Sequence, residues 1–132
     1  MKLKDFDFRI WNNNSKTYEA ETIVESLGFI TGVLNQLSYE KPTIDYEIEL
    51  FTGLYDKNGK KIYEGDILYY FKDCSEGEVF KYQVLFKEGA FYLFESYDGF
   101  VDDEDLIAEF DLKELQVMGN IHENKELLNV RL

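Results

Sequence analysis

One stretch of the chain, residues 51–68, constrains the fold more than any other. It reads FTGLYDKNGKKIYEGDIL and holds three of the nine glycines and the chain's one Asn-Gly pair, Asn58-Gly59. Asn and Gly both tolerate positive φ, which a type I′ hairpin turn requires at its two central residues, and Asp56 offers a carboxylate to the N–H groups of such a turn. Glu64-Gly65-Asp66 predicts a second tight turn. The stretch is therefore predicted to form a turn, a short strand, a second turn and the start of a longer strand.

The rest of the C-terminal half predicts more β-structure. Ile67–Phe71 is apolar on both faces, which predicts a strand that is covered on both sides or lies in a protomer interface. Residues 80–87 alternate in polarity and meet residues 90–94 across Glu88-Gly89, which predicts a hairpin, and residues 115–119 predict a returning strand. Five short strands joined by glycine turns predict a small SH3-like β-barrel. The predicted core comprises Ile62, Ile67, Val84, Phe86, Leu93 and Val117.

The N-terminal region, residues 1–50, predicts a β-hairpin followed by a segment whose structure stays open. Phe6, Phe8 and Ile10 alternate with charged residues, and residues 17–24 return after an Asn-rich turn. Apolar residues between 22 and 37 fit helical spacing, but Gly28 and Gly32 weaken a helix, so residues 22–41 remain ambiguous.

Beyond a break at Pro42, Tyr46, Ile48 and Leu50 alternate with Glu47 and Glu49, the pattern of a strand that enters the signature stretch. The predicted fold class is therefore mainly β (α+β). An N-terminal extension, residues 1–50, precedes an SH3-like barrel region, residues 51–132, and one or two short helices complete the fold.

Three pieces of the sequence carry a family resemblance. Residues 51–67 are similar to the signature of the YopX family, small proteins encoded by phages and prophages of Gram-positive bacteria. Phe8-Arg9-Ile10-Trp11 resembles the family's opening motif, and residues 119–128, GNIHENKELL, resemble its closing motif. Phe51 stands where the family usually has tyrosine, and Lys125 where it has proline. The resemblance implies kinship and a fold compatible with the barrel, but it implies no activity.

Charge limits the partners of the chain. The formal net charge is −13, so direct binding to a nucleic-acid backbone is disfavoured. Residues 98–114 alone hold eight acids against Lys113, and Asp102 and Asp103 are placed to cap a short helix carrying Leu106, Ile107 and Phe110. The single cysteine, the lack of a signal peptide and the lack of a long apolar run predict a cytoplasmic protein of the host cell without membrane contact.

Candidate chemical sites are few. A calcium loop beginning at Asp56 would place Lys60, Lys61 and Ile67 where an oxygen donor, glycine and glutamate are required, so a hairpin turn is preferred. His122 is the one histidine and Cys74 the one cysteine, and both are expected to have structural or surface roles. Phosphate-loop, dinucleotide and hydrolase motifs are absent from the sequence. We therefore expect a non-enzyme without cofactor or metal.

Two functions remain. The first is a homo-oligomeric phage or prophage accessory protein acting through protein contacts, with Tyr69 and Phe71 as the first candidates for the oligomer interface. The second is an acidic nucleic-acid mimic in which Asp102, Asp103, Glu104 and Asp105 bind the basic groove of a host DNA-binding protein. A plain solubilising role for the acidic stretch stands beside both, because runs of charge usually form solvated surfaces.

Overall fold

The computed structural model describes residues 2–37, 45–71, 79–97 and 100–128. The predicted break at Pro42 and the thiol of Cys74 lie outside these ranges. The protein is mainly β, with one helix and curled antiparallel sheets, as the sequence predicts at this coarse level. It divides into two compact units, Met1–Phe51 and Thr52–Leu132. In the described ranges, no helix is both long enough and apolar enough to cross a membrane.

The first unit is an antiparallel sheet with a helix packed on it. Its elements are a 3₁₀ turn at Leu3–Asp5, strands β1 (Phe8–Asn12) and β2 (Thr17–Ala20), helix α1 (Ile23–Leu37) and the first part of β3 (Tyr46–Tyr55). The central strand β1 pairs with β2 on one side and β3 on the other. The predicted N-terminal hairpin is confirmed, although its second strand ends at Ala20 instead of Val24.

Within the ambiguous segment, residues 23–37 form helix α1, and residues 38–41 lie outside the described ranges. Its first turn is capped by Thr22, whose Oγ1 accepts a hydrogen bond from the N–H of Glu25 at 3.2 Å, while the Glu25 carboxylate accepts one from the N–H of Glu21 at 3.3 Å. This reciprocal arrangement resembles the capping box of a Thr-x-x-Glu sequence. On its inner face, Ser26 is fully buried and donates to the Phe8 carbonyl, and Phe29 packs edge-on against Tyr46. Capping and packing together offset the low helix propensity of two glycines.

The second unit is built from the end of β3 and six further strands. These are β4 (Lys61–Tyr63), β5 (Asp66–Tyr70), β6 (Phe80–Lys87), β7 (Ala90–Tyr97), β8 (Phe100–Leu106) and β9 (Leu115–Asn120), with 3₁₀ turns at Ile107–Glu109, Leu112–Glu114 and Lys125–Leu128. Five of the strands form an antiparallel sheet in the order β8-β7-β6-β5-β9. The predicted hairpin across Glu88-Gly89 and the returning strand are confirmed.

The predicted helix start at Asp102 and Asp103 is wrong, although a single 3₁₀ turn follows at Ile107–Glu109. Both residues lie in β8, which pairs with β7 along its length, and the first helical turn begins only at Ile107. The residue that precedes this turn is Leu106, which has no capping oxygen in its side chain. Strand pairing with β7 supplies more hydrogen bonds than a single capped turn would, and it decides the conformation here.

The core of the second unit contains five of the six predicted residues: Ile62, Ile67, Val84, Leu93 and Val117 are buried. The sixth is a wrong prediction, since Phe86 is 42% exposed. Phe86 pairs with Phe91 one step from the turn of the β6–β7 hairpin, where the sheet ends and fewer side chains cover it. The doubly apolar strand β5 lies between β6 and β9, and Ile67 and Leu68 are fully buried, so both of its faces are covered within the chain.

Candidate functional site

The first candidate is the hairpin between β3 and β4, which carries the centre of the sequence signature. The N–H of Gly59 donates to the Asp56 carbonyl at 3.0 Å, and the N–H of Asp56 donates to the Lys60 carbonyl at 2.8 Å. Gly59 has φ of +78°, as predicted, but Asn58 has negative φ. The turn is therefore a type I turn closed by a left-handed glycine, and the predicted type I′ geometry is wrong at this position.

The Asp56 carboxylate explains this geometry. It accepts hydrogen bonds from the N–H groups of Asn58 and Lys60, both at 2.8 Å, and its second oxygen accepts from the N–H of Val117 at 2.9 Å. The Asx turn thus holds Asn58 in the right-handed region. The oxygens of this carboxylate accept hydrogen bonds from N–H donors, whereas a cation site requires oxygens that face the cation. This geometry agrees with the sequence-based rejection of a calcium loop.

Two more polar residues of the signature motifs bond to the main chain. The Asp66 carboxylate accepts from the N–H of Tyr63 at 2.8 Å and closes the second predicted turn, where Gly65 has φ of +86°. The Asn120 side chain accepts from the N–H groups of His122 and Glu123 at 3.0 and 2.9 Å. Asp66 and Asn120 are themselves Cα partners across β5 and β9. The central and closing motifs therefore meet at one end of this strand pair.

A second candidate, in the first unit, is a buried charged cluster that sequence reasoning missed. Glu49 is only 4% exposed, and its Oε1 accepts hydrogen bonds from Arg9 Nε at 2.7 Å and from the Tyr18 hydroxyl at 2.8 Å. The Arg9 guanidinium also lies 5.0 Å from the centre of the Tyr18 ring, and Trp11 meets that ring edge-on. The negative charge of the Glu49 carboxylate is thus balanced by Arg9, and the carboxylate is hydrogen-bonded, as a buried charge must be.

This cluster sets the orientation of β3. The apolar residue Ile48 is 51% exposed and Glu49 is inside, so the inward face is not the apolar one along this part of the strand. The reason is the pairing of Arg9 with Glu49 as Cα partners across β1 and β3. The sequence did contain one signal for this cluster, which is Arg9 in the Phe8-Arg9-Ile10-Trp11 motif. A basic side chain on a strand that is buried on both faces requires an acidic partner, and that partner can lie far away in the sequence.

The predicted partner-binding acids lie on the edge strand β8. Pairing with β7 places Asp103 opposite Glu95, Glu104 opposite Phe94 and Asp105 opposite Leu93. Successive side chains of a strand point to opposite faces, so Glu104 and Asp105 lie on opposite faces of the sheet.

The Glu104 carboxylate forms an ion pair with the Lys87 ammonium, which also lies 5.1 Å from the centre of the Tyr92 ring. The hydrogen bond to Glu104 raises the pKa of Lys87 above its ordinary value. One of the four predicted acids therefore already has a partner within the chain.

The proposed oligomer-interface residues differ from each other in exposure. Tyr69 is buried, and its hydroxyl donates to the Leu127 carbonyl at 3.0 Å. Burial raises the pKa of Tyr69 above its ordinary value. Phe71 is half-buried, with the Lys57 ammonium 4.5 Å from the centre of its ring. Of the two side chains, Phe71 is therefore the more accessible to a second molecule.

The remaining candidate for chemistry is His122, which is half-buried and lies in the turn that Asn120 organises. Within the described part of the chain, no group of three or more His, Cys, Asp or Glu side chains is placed to hold a metal ion. The side chains of Asp56, Asp66 and Asn120, in the central and closing motifs, accept hydrogen bonds from main-chain N–H groups. This arrangement specifies turns and strand pairing rather than a reaction.

Comparison with known proteins gives a family and a fold. The family model described as YopX protein matches residues 7–129. Among solved structures, the crystal structure of protein EF1440 from Enterococcus faecalis is similar, with a TM-score of 0.54 and 23% sequence identity over 93% of this chain and 97% of that chain. At this identity the likeness establishes the fold alone. No curated protein matches the chain.

Proposed function

The chain belongs to the YopX family, and from that premise we propose that it is a non-enzymatic accessory protein of a phage or prophage. It acts through contacts with itself and with a host protein, in the cytoplasm of the host cell. It uses no cofactor and makes no direct contact with nucleic acid or membrane.

The observation that carries this proposal is that the polar residues of the signature hold the main chain in place. Asp56, Asp66 and Asn120 are buried, and their side chains accept hydrogen bonds from main-chain N–H groups of turns and of β9. A catalytic acid or base must instead reach a substrate with its functional atom. The signature that defines the family thus supports a scaffold, and a scaffold acts through its surface.

Sedimentation equilibrium tests the self-association. We expect a species heavier than the 15.6 kDa monomer at micromolar concentration. Phe71→Ser, at the accessible end of the proposed interface, is expected to shift the equilibrium towards monomer. Tyr55→Ser is the matched control, because Tyr55 is an exposed aromatic residue elsewhere in the same unit. A wild-type chain that stays monomeric at these concentrations would reject the proposal of self-association.

The acidic nucleic-acid mimic is the second candidate, and the conformation of β8 favours it. A strand rises about 3.4 Å per residue, and successive phosphates of one DNA strand advance by about 3.4 Å along the helix axis. Four consecutive acids, Asp102–Asp105, in an extended edge strand therefore carry charge at the linear density of one DNA strand. A helix, which rises about 1.5 Å per residue, would have compressed the same charges.

Competition for DNA tests the mimic. Host DNA-binding proteins retained on immobilised DNA are expected to be released by the wild-type chain. Neutralising the four acids of β8 as Asn or Gln is expected to weaken that release and flatten its salt dependence. The control removes four exposed acids elsewhere: Asp5→Asn, Glu21→Gln, Asp45→Asn and Glu126→Gln. Equal release by both variants would show that net charge alone acts, which rejects the mimic.

We also propose that the second unit closes into an SH3-like barrel. Ile62 of β4 packs in one cluster with Leu68 of β5, Val84 of β6, Leu93 of β7 and Val117 of β9. Strand β4 pairs with β3, and this shared core supports a barrel in which β4 packs against the five-stranded sheet. Amide hydrogen exchange as slow in β4 as in β5 is the expected result, and β4 amides that exchange as fast as those of turns would count against closure.

A further inference from the structure

Asn58 is the one asparagine of the chain that is followed by glycine. In such a pair the main-chain nitrogen of the glycine can attack the side-chain amide of the asparagine, because glycine has no Cβ to hinder the approach. The pair lies at the tip of the hairpin between β3 and β4, where both residues are exposed. Among the residues that the structure describes, no atom lies within 4 Å of the position that a Cβ would take at Gly59. Water therefore reaches the pair, and burial gives it no protection.

The reaction open to this pair is deamidation, and water is its one co-reactant. The Gly59 nitrogen gives up its proton and bonds to Cγ of Asn58, the Cγ–Nδ2 bond breaks, and the amide group leaves as ammonia together with that proton. The product is a cyclic imide. Water then opens the imide at either of its carbonyls and leaves aspartate or isoaspartate at position 58. In isoaspartate the main chain passes through the former side chain and is longer by one methylene group.

The closed hairpin opposes the first step of this reaction. The N–H of Gly59 donates to the Asp56 carbonyl at 3.0 Å, so the attacking nitrogen keeps its proton while the turn is intact. The residues on both sides are held as well, because the N–H groups of Asn58 and Lys60 donate to one oxygen of the Asp56 carboxylate, each at 2.8 Å. In a type I turn the ψ angle at the position of Asn58 is about 0°, which turns the Gly59 nitrogen away from the side chain. Ring closure therefore requires the turn to open.

We propose that Asn58 is a site of spontaneous deamidation and that the hydrogen bonds to Asp56 control its rate. While the hairpin is closed the site is protected, and each opening of the hairpin exposes it to reaction. The hairpin then determines the chemical lifetime of the chain as well as part of its fold. This inference is independent of the self-association in the proposed function, since it concerns one molecule and water.

The isoaspartate product disturbs the turn that protected the site. Its extra methylene group lies between the N–H groups of residues 58 and 60, which a single carboxylate oxygen of Asp56 holds at 2.8 Å. The second oxygen of Asp56 accepts from the N–H of Val117 at 2.9 Å, so a displaced Asp56 also loses its bond to β9. Deamidation at the tip is therefore expected to loosen the contact between the hairpin and β9, and the turn does not recover.

Peptide mapping by mass spectrometry tests the site and its protection. The wild-type chain is incubated at mildly alkaline pH, once folded and once in guanidinium chloride, and the gain in mass from amide to acid is followed at each asparagine. We expect Asn58 to react first in the unfolded chain. In the folded chain it should react at least about tenfold more slowly, which corresponds to an opening free energy of about 1.4 kcal/mol. Equal rates would overturn the protection, and another asparagine reacting first would overturn the site.

Two substitutions of Asp56 test its control of the rate. Asp56→Ala removes the carboxylate from the turn and is expected to speed deamidation of the folded chain about tenfold, whereas Asp56→Asn keeps one oxygen for the turn and should speed it less. Asp66→Ala is the matched control, because it removes an acceptor from the second turn of the same unit and leaves Asn58 held. Circular dichroism checks that each variant is folded, and if Asp56→Ala is not, Asp56→Asn is compared with Asp66→Ala. Equal acceleration at the two turns would overturn the role of Asp56.

Asn58→Ser, which has no amide to lose, tests the consequence of the reaction. Wild type and Asn58→Ser are aged together in guanidinium chloride and refolded, and the midpoint of urea unfolding is compared with that of fresh protein. The aged wild type is expected to contain a fraction with a lower midpoint, in proportion to its isoaspartate content, while aged Asn58→Ser matches its fresh sample. An aged wild type that contains isoaspartate and keeps its full stability would overturn the loss of the turn.

Discussion

Acidic residues behave in opposite ways in two regions of this protein. In the signature hairpin, residues 51–68, Asp56 and Asp66 are buried and accept hydrogen bonds from main-chain N–H groups. In the acidic stretch, residues 98–114, acids occupy successive positions of an edge strand, and Asp103 is the Cα partner of another acid, Glu95. The same side-chain chemistry therefore organises turns in one place, and in the other it occupies partnered positions of two neighbouring strands.

The difference shows that position relative to N–H donors, not the number of acids, decides what a carboxylate does for the fold. An Asp that precedes a turn meets N–H groups that the turn leaves without partners, and it stabilises the turn. Acids opposite each other on paired strands repel instead. Stability can therefore be expected from Asp56 and Asp66, and less of it from an acid whose Cα partner is another acid.

The largest expected effect on stability tests whether Glu49, like Asp56 and Asp66, is an acid that stabilises the fold. Glu49→Ala leaves the largely buried Arg9 guanidinium without its carboxylate, and we expect it to lower the free energy of unfolding by about 3–5 kcal/mol. Urea denaturation followed by circular dichroism measures the change. A loss below about 1 kcal/mol, as for a surface ion pair, would contradict the assignment.

A double substitution separates the pair from its surroundings. Arg9→Met with Glu49→Leu replaces both charges by apolar side chains of similar size and is expected to recover most of the stability that Glu49→Ala loses. If the double variant is as unstable as the single one, the cluster matters for its hydrogen bond to Tyr18 and not only for the ion pair.

The next largest loss of stability is expected for substitution of Asp56 in the hairpin. Asp56→Ala removes the acceptor of three N–H groups, and the N–H of Val117 is left in a buried position. We expect a loss of about 2–3 kcal/mol in the free energy of unfolding. Asp56→Asn is the control: it keeps one oxygen for Asn58 and Lys60 but presents an amide to Val117, so its loss should be smaller. Equal losses would mean that the turn bonds contribute nothing.

The backbone of the same hairpin gives a smaller effect. Gly59 has φ of +78°, and a β-branched side chain is strained there, so Gly59→Val should lower the free energy of unfolding by about 1 kcal/mol or more. Gly59→Asn should lower it less, because asparagine tolerates the left-handed region. The midpoint of urea unfolding measures both. A neutral Gly59→Val would show that the hairpin tip can adopt another turn.

Local chemistry explains which parts of the fold could be predicted. The turns at Gly59, Gly65 and Gly89 follow from short-range residue preferences, and each has a glycine at positive φ. At Glu88-Gly89 both residues have positive φ, so the type I′ geometry expected at Asn58-Gly59 occurs there instead. Asn-Gly permits that turn but does not require it, and at Asn58 the carboxylate of Asp56 selects another.

Distant partners explain the errors. Alternation in β3 does not show that Glu49 is the buried residue, because its partner Arg9 lies forty residues away in the sequence. The helix expected behind Asp102 gives way to pairing with β7, which no local pattern reveals. Helix α1 is a different case, because the Thr22 and Glu25 capping residues were readable in the sequence and outweigh the two glycines. Of the candidate sites, the charged cluster was missed because its members come from three strands.

The smallest expected effect is a gain in stability, and it tests the contrast between the two regions. Asp103→Asn removes one of two acids that are Cα partners across β7 and β8, so we expect the free energy of unfolding to rise by about 0.2–0.5 kcal/mol. Asp102→Asn removes the same charge at the β-bulge, where the register skips a residue and no acid is its Cα partner, so it should change stability less. Because the repulsion is electrostatic, the gain at position 103 should shrink as salt is raised well above about 0.1 M, where the Debye length is about 10 Å. Urea unfolding at low and high salt measures both variants. If Asp103→Asn destabilises the protein as Asp56→Asn does, the edge-strand acids also organise the fold, and the distinction between the two regions fails.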